Sequence, residues 1–267
     1  MPIKSAFSVQ PLDQKSFHLI DEVVMRHAFD IHNEMGRFCD ERIYQDELAY
    51  RCAASGFDVL REPMISVTHR DYCKRYFLDM LIQAGSIYEL KTTESFHGNH
   101  EAQLINYLLL STLRHGKLIN MRTGSVEYRY VSSQLTEETR RQHSFDMDGW
   151  ASSDPQAIRL QELLEDLLCD WGAFLEVQLY RDALIHFLGG TDQVVKPIAI
   201  QDGNRLIGMQ KMSLVAENVA FHLSAIKTHQ ASYQTHMSRL LEHSSLKKIH
   251  WINFKGSEIQ FKTLMKN

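Results

Sequence analysis

Leu78-Asp79-Met80-Leu81-Ile82-Gln83-Ala84-Gly85-Ser86-Ile87-Tyr88-Glu89-Leu90-Lys91 decides how the chain is read. It reads as two short strands joined by a turn at Gln83-Ala84-Gly85-Ser86. Asp79 lies in the first strand, and Glu89 and Lys91 lie two apart in the second. Side chains two apart on a strand share a face, so Glu89 and Lys91 point one way and Tyr88 and Leu90 the other. Two carboxylates and an ammonium among apolar residues are costly to bury unless they pair or hold a cation.

Working outward, residues 16–35 carry Phe17, Ile20, Val23, Val24, His27 and Ile31 at helical spacing. Gly36 interrupts, and a second helix is expected over 39–54, ending near Ser55-Gly56. Strands are predicted over 59–68, 72–83 and 86–91, then a helix over 99–113 and strands over 117–121 and 125–131. Glu41 and Tyr44 share a helix face, as do His100, Gln103 and Tyr107. With a helix supplying Glu41 beside Asp79 and Glu89, three carboxylates could surround one cation. Oxygen ligands suit Mg2+, and a bound water loses its proton more readily. Lys91 could orient that water or stabilise charge on a phosphate, and Gln103 offers both a donor and an acceptor. Each piece alone has an ordinary reading, Glu-x-Lys above all, which is a common surface ion pair.

The order of these pieces resembles the GxxExxY family of the PD-(D/E)XK nuclease superfamily. The matching residues are Gly36, Glu41 and Tyr44; Leu78-Asp79-Met80-Leu81; Tyr88-Glu89-Leu90-Lys91; His100, Gln103, Asn106 and Tyr107; and Gly116 to Asn120. The match spans roughly residues 15–131, and the glycine three before Glu41 in the family's pattern is Phe38 here. The resemblance implies an α/β fold, a mixed sheet flanked by helices. It implies Mg2+ or Mn2+ held by Asp79 and Glu89 with Glu41, a catalytic Lys91, and Gln103 lining the site. Tyr107, His100 and Tyr44 are the candidate substrate contacts. The substrate implied is nucleic acid, DNA first.

Residues 135–155 have linker composition, with Asp148-Gly149 and Ser152-Ser153-Asp154-Pro155. Then the pattern restarts. Gly36 and Tyr44 recur as Gly172 and Tyr180, an offset of 136; Leu118-Ile119-Asn120 recurs as Trp251-Ile252-Asn253, an offset of 133. The expectation is two tandem restriction-endonuclease-like domains, 1–134 and 156–267, from an internal duplication. At the 133 offset Asp79, Glu89, Lys91 and Gln103 become Met212, His222, Ser224 and His236, so the second copy loses the acids. His222, His229, His236, His243 and His250 also recur every seven residues, a spacing without the HxxxH of a helical metal site.

The net charge is −4, with nine Lys/Arg against three Asp/Glu from Arg205 onward. That segment is therefore at +6 and the remainder at −10, which points to a polyanion-facing surface in the second half. The four cysteines form no CxxC pair, which disfavours zinc. No run approaches the roughly 18 apolar residues of a membrane span. A reducing, cytoplasmic setting is expected, as a pseudo-dimeric monomer or a homodimer. The rival to a nuclease is an inactive nucleic-acid-binding or scaffold protein.

Overall fold

The computed structural model describes residues 2–266; Met1 and Asn267, the outermost residues of the two expected domains, lie outside the described residues. The chain forms two compact units, Met1–Glu137 and Glu138–Asn267. Both mix helices with a mixed sheet, the α/β class expected.

In the first unit, β1 (Ile3–Ser5) precedes helices α1 (Gln14–Met35) and α2 (Glu41–Ala54). The Asp13 carboxylate caps α1 by accepting from the Ser16 N–H at 2.7 Å. The expected strands over 59–68 and 72–83 are each broken in two, giving β2 (Val59–Arg61), β3 (Met64–His69), β4 (Tyr72–Phe77) and β5 (Met80–Ile82). Glu62 takes φ +47 before Pro63, which has no N–H for a ladder. The broken hairpin therefore serves two sheets. β3 and β4 join β1, while β2 and β5 enter the sheet β2-β5-β6-β7-β8. That sheet is completed by β6 (Ser86–Lys91), β7 (His115–Asn120) and β8 (Glu127–Ser132), with α3 (Gly98–Ser111) crossing between the parallel β6 and β7. The β5–β6 turn puts φ +52 on Gln83 and +53 on Ala84. At Gly85 a Cβ would meet the Gln10 carbonyl oxygen at 2.5 Å, so only glycine fits there.

The second unit opens with α4 (Glu137–Arg141), which begins at the boundary, and β9 (Ser144–Asp146). These correct the expected linker over 135–155. β9 pairs with the unit's last strand, and the Trp150 ring is buried 5.1 Å from the Phe261 ring. Polar turn residues gave this stretch the composition of a connector. Helices α5 (Pro155–Trp171), α6 (Val177–Phe187) and α7 (Thr191–Val194) follow, then β10 (Val195–Asp202), β11 (Arg205–Ala216) and β12 (Val219–Ser224). α8 (Gln230–Glu242) leads to β13 (Lys248–Lys255) and β14 (Glu258–Met265), in the sheet order β10-β11-β12-β13-β14-β9. The seven-residue histidine series dissolves across these elements. His222 and His250 are on strands, His229 and His243 cap α8, and His236 is exposed on it.

Within each unit the same bonds recur at shifted numbers. The Tyr44 hydroxyl donates to the Gly36 carbonyl at 2.7 Å, and Tyr180 to Gly172 at 2.6 Å. The Asn120 amide donates to the Thr93 carbonyl and to Glu127, and the Asn253 amide to the Ile226 carbonyl and to Gln260. Glu89 sits opposite Leu118 and Lys91 opposite Asn120, while His222 sits opposite Trp251 and Ser224 opposite Asn253.

Candidate active site

β5 and β6 run antiparallel with Met80 opposite Tyr88, which brings Asp79 beside Glu89. The Asp79 N–H donates to Glu89 Oε1 at 3.0 Å, and the Leu90 N–H donates to Asp79 Oδ2 at 2.8 Å. Each acid is thus held by the backbone of the strand next to the other. Lys91 Nζ stands 3.4 Å from Glu89 Oε2 and 3.9 Å from Asp79 Oδ2. Glu41, the first residue of α2, accepts from the Thr92 N–H at 3.2 Å, just past the end of β6. So Glu41, Asp79, Glu89 and Lys91 converge on one edge of the sheet.

Burial sets the electrostatics. Glu89 is 1% exposed, and its carboxyl is pushed up to about 8 by burial and then by the Asp79 charge. Burial also raises Asp79, against the pull of Lys91, and raises Glu41, where Asp79 adds to the effect. Burial draws the Lys91 ammonium down, but Glu89, Asp79 and Glu41 together outweigh it and hold it above its ordinary value. Three acids surround one lysine, so the fully ionised cluster would carry two uncompensated negative charges.

The other expected residues divide. The Gln103 amide donates to the Tyr107 hydroxyl at 3.0 Å, so these two hold each other on α3. The Tyr107 ring meets Tyr76 edge-on at 6.2 Å. His100 Nδ1 accepts from the His97 N–H at 3.3 Å at the start of α3. Burial lowers the His100 imidazole, and the Lys91 charge adds to the shift. Tyr44 is corrected outright. It is 0% exposed, and its hydroxyl bridges Gly36 and the Cys39 N–H, so it builds the α1–α2 corner and cannot touch a substrate. Helical spacing put it near Glu41 without saying which way its face turned.

The expected metal ligands are Asp79, Glu89 and Glu41, and the Glu41 carboxylate is engaged by the Thr92 N–H. Among the described residues, no three His, Cys, Asp or Glu side chains form a group able to hold a metal ion. Asp79 and Glu89 are hard oxygen donors, which suit a divalent cation, and such a cation would favour their ionised forms.

Two contributors went unread in the sequence. Gln45 hydrogen-bonds the Asp79 side chain and helps hold its charge. Its spacing of four from Glu41 on α2 was the available signal. Asn120, fully buried, accepts from the Thr93 N–H at 3.2 Å and donates to its carbonyl at 2.7 Å, fixing the chain just after Lys91. On the opposite face of the sheet, Lys117 pairs with buried Asp21 and ties β7 to α1.

The family model described as the PD-(D/E)XK nuclease superfamily matches residues 18–131, the segment that holds this entire cluster. No curated protein and no solved structure matches the chain. Among the described residues, no helix is long and apolar enough to cross a membrane.

Proposed function

Because the family model of the PD-(D/E)XK nuclease superfamily matches residues 18–131, we propose that the first unit hydrolyses nucleic-acid phosphodiester bonds, DNA first, with Asp79, Glu89 and Lys91 as its working set. The observation that carries this is one ammonium within 3.9 Å of two carboxylates, buried Glu89 on β6 and half-buried Asp79, which sits in the bend just before β5 rather than in the strand expected. Such a trio has no evident use in a surface ion pair. Asp79 and Glu89 would hold Mg2+ or Mn2+, which supplies positive charge to the phosphate and acidifies a bound water. Lys91 keeps its proton and donates it as a hydrogen bond to phosphate oxygens as negative charge builds on them. Glu41 and Gln45 hold the Asp79 side from α2. Asn120 keeps the segment after Lys91 from moving. Gln103 and Tyr107 act together as a polar and aromatic edge beside the site.

The second unit is proposed to be a degenerate copy of the first. The register pairs and the Asn120 and Asn253 networks agree at a constant offset of 133, which supports a duplication. His222, Ser224 and Met212 supply no carboxylate where Glu89, Lys91 and Asp79 would stand. There the Trp251 indole N–H donates to Ser224 Oγ at 2.8 Å.

Cleavage of single-stranded DNA, supercoiled plasmid and RNA with Mg2+ or Mn2+ tests the reading, with Lys91→Ala and Glu89→Ala beside wild type. Metal-dependent cutting lost in both variants is expected. Cutting that survives both, or none on any substrate, refutes it. The replacement of Asp79, Glu89 and Lys91 by Met212, His222 and Ser224 in the second unit favours a second reading, a non-cleaving nucleic-acid binder. Calorimetry separates the two, since a binder would hold nucleic acid without taking up Mg2+ or Mn2+.

A further inference from the structure

The second unit contains a cavity of about 200 Å3 that the proposed chemistry does not use. Trp251 of β13 lines it, with its indole nitrogen already fixed on Ser224. Gln230 and Gln234 of α8, Asp146 and Asp148 at the end of β9, and Lys262 of β14 are also in its lining. Lys262 Nζ donates to Gln234 Oε1 at 3.1 Å, which leaves the amide nitrogen of Gln234 and further ammonium hydrogens to be shared. The Gln230 amide nitrogen is committed to the Ile226 carbonyl, leaving its oxygen as an acceptor. Among the described residues, the Asp148 carboxylate has no protein partner, and one Asp146 oxygen accepts from the Asp148 N–H.

These groups define a ligand. The buried Trp251 indole gives the lining an apolar surface. The carboxylates accept hydrogen bonds only, the lysine donates only, and the carboxamides do both. The volume lies below the roughly 300–1,000 Å3 of sites that enclose a drug-sized molecule, so it admits about one ring system. Two carboxylates at the lining repel phosphate, so the backbone of a nucleic acid stays outside. What fits is a planar heterocycle with neighbouring N–H donors on one edge and carbonyl or ring-nitrogen acceptors on another. We infer that this cavity takes a single unpaired nucleobase, guanine in first place.

Guanine presents its ring N–H and amino group side by side to a carboxylate, and its O6 and N7 acceptors suit lysine. Cytosine and adenine bring one amino group without a neighbouring ring N–H, and uracil brings one ring N–H without an amino group. Proteins that take a base out of its stack read it in this way, by hydrogen bonds to its edge and packing on its face. The inference does not rest on cleavage by the first unit, because a nucleoside has no phosphodiester bond to cut.

Isothermal calorimetry on the full chain with guanosine, adenosine, cytidine and inorganic phosphate tests it. Saturable one-to-one binding of guanosine is expected, at least about tenfold tighter than the other nucleosides, with no heat from phosphate. Guanosine should quench tryptophan emission. Asp148→Asn, at an exposed position where folding is preserved, should weaken guanosine at least about tenfold, and Gln234→Ala should weaken it too. Circular dichroism melting would show both variants folded. No saturable binding of any nucleoside would overturn the inference. So would phosphate binding as well as guanosine, or guanosine binding unchanged in both variants, which would place the ligand elsewhere.

Discussion

Glu89→Gln should make the metal-free protein more stable near pH 8 and leave it nearly unchanged near pH 5. The Glu89 carboxyl is carried from an ordinary 4.5 to about 8 in the folded chain. Below 4.5 it is protonated in both folded and unfolded states and contributes no difference. Between 4.5 and about 8 the unfolded state gives up the proton while the folded state keeps it. The unfolded state then binds fewer protons, so stability falls as pH rises through this window. At 1.36 kcal/mol per pH unit the whole interval amounts to about 5 kcal/mol, shared with Asp79, whose carboxyl is raised in the same direction. Gln keeps an oxygen for the Asp79 N–H and removes the charge. The assay is urea unfolding in the presence of a chelator, across pH, followed by far-ultraviolet circular dichroism. Trp150, Trp171 and Trp251 all lie in the second unit, so their emission is an internal control that should not follow the Glu89 slope. Saturating Mg2+ should oppose the slope, since it favours the ionised pair. A wild-type first unit whose stability is flat from about pH 5 to about pH 8, or a slope that persists in Glu89→Gln, would refute the reasoning.

Three further outcomes are expected. Tyr44→Phe should cost about 1–3 kcal/mol by stranding the Gly36 carbonyl and the Cys39 N–H, yet leave the rate of cleavage by the folded protein unchanged; a selective loss of turnover would return Tyr44 to the site. The second unit should lose stability on acidification, because burial draws the His250 imidazole down to about 4 from 6.5, a difference of about 3 kcal/mol at 1.36 kcal/mol per pH unit. There the unfolded state takes up the proton first, and tryptophan emission during urea unfolding reads the effect; an unchanged midpoint from about pH 7 to about pH 4 would contradict it. With one Asp-Glu-Lys cluster among the described residues, supercoiled plasmid should pass through a nicked form before any linear product appears. Linear product without that intermediate would speak for two working sites.

How far the sequence could be read depended on the kind of signal. The placing of Asp79, Glu89 and Lys91 was legible because strand alternation fixes faces within two residues, and the turn at Gln83 and Ala84 fixes the pairing. Apolar spacing located α1 to within two residues of where it begins. Burial was not legible. Glu41 and Tyr44 share a helix side, but only packing sends Tyr44 into the core and leaves Glu41 at the start of α2 facing Thr92. The breaks at Glu62-Pro63 and Leu78-Asp79 were hidden because apolar alternation continues across them, while the backbone moves from one sheet to the other. β9 was hidden for the opposite reason. Three paired residues inside a polar stretch, anchored by Trp150 further along, leave almost no periodic trace.

Under the proposed duplication, the two units offer a natural comparison at one fold position. In the first, β6 carries Glu89 and Lys91 toward a cluster whose acids are raised by burial and mutual repulsion, a cost that makes sense where a cation is to be received. In the second, the register is kept and the cost is gone. His222 bonds the Tyr233 hydroxyl at 2.6 Å, and Ser224, Trp251 and Asn253 satisfy one another. What both units retain is the asparagine that clamps the chain after the central strand, Asn120 and Asn253, and the tyrosine that locks the helix corner, Tyr44 and Tyr180. Those residues therefore belong to the scaffold. The residues present in the first unit and replaced in the second, Asp79, Glu89 and Lys91, are the ones whose arrangement the scaffold alone does not require.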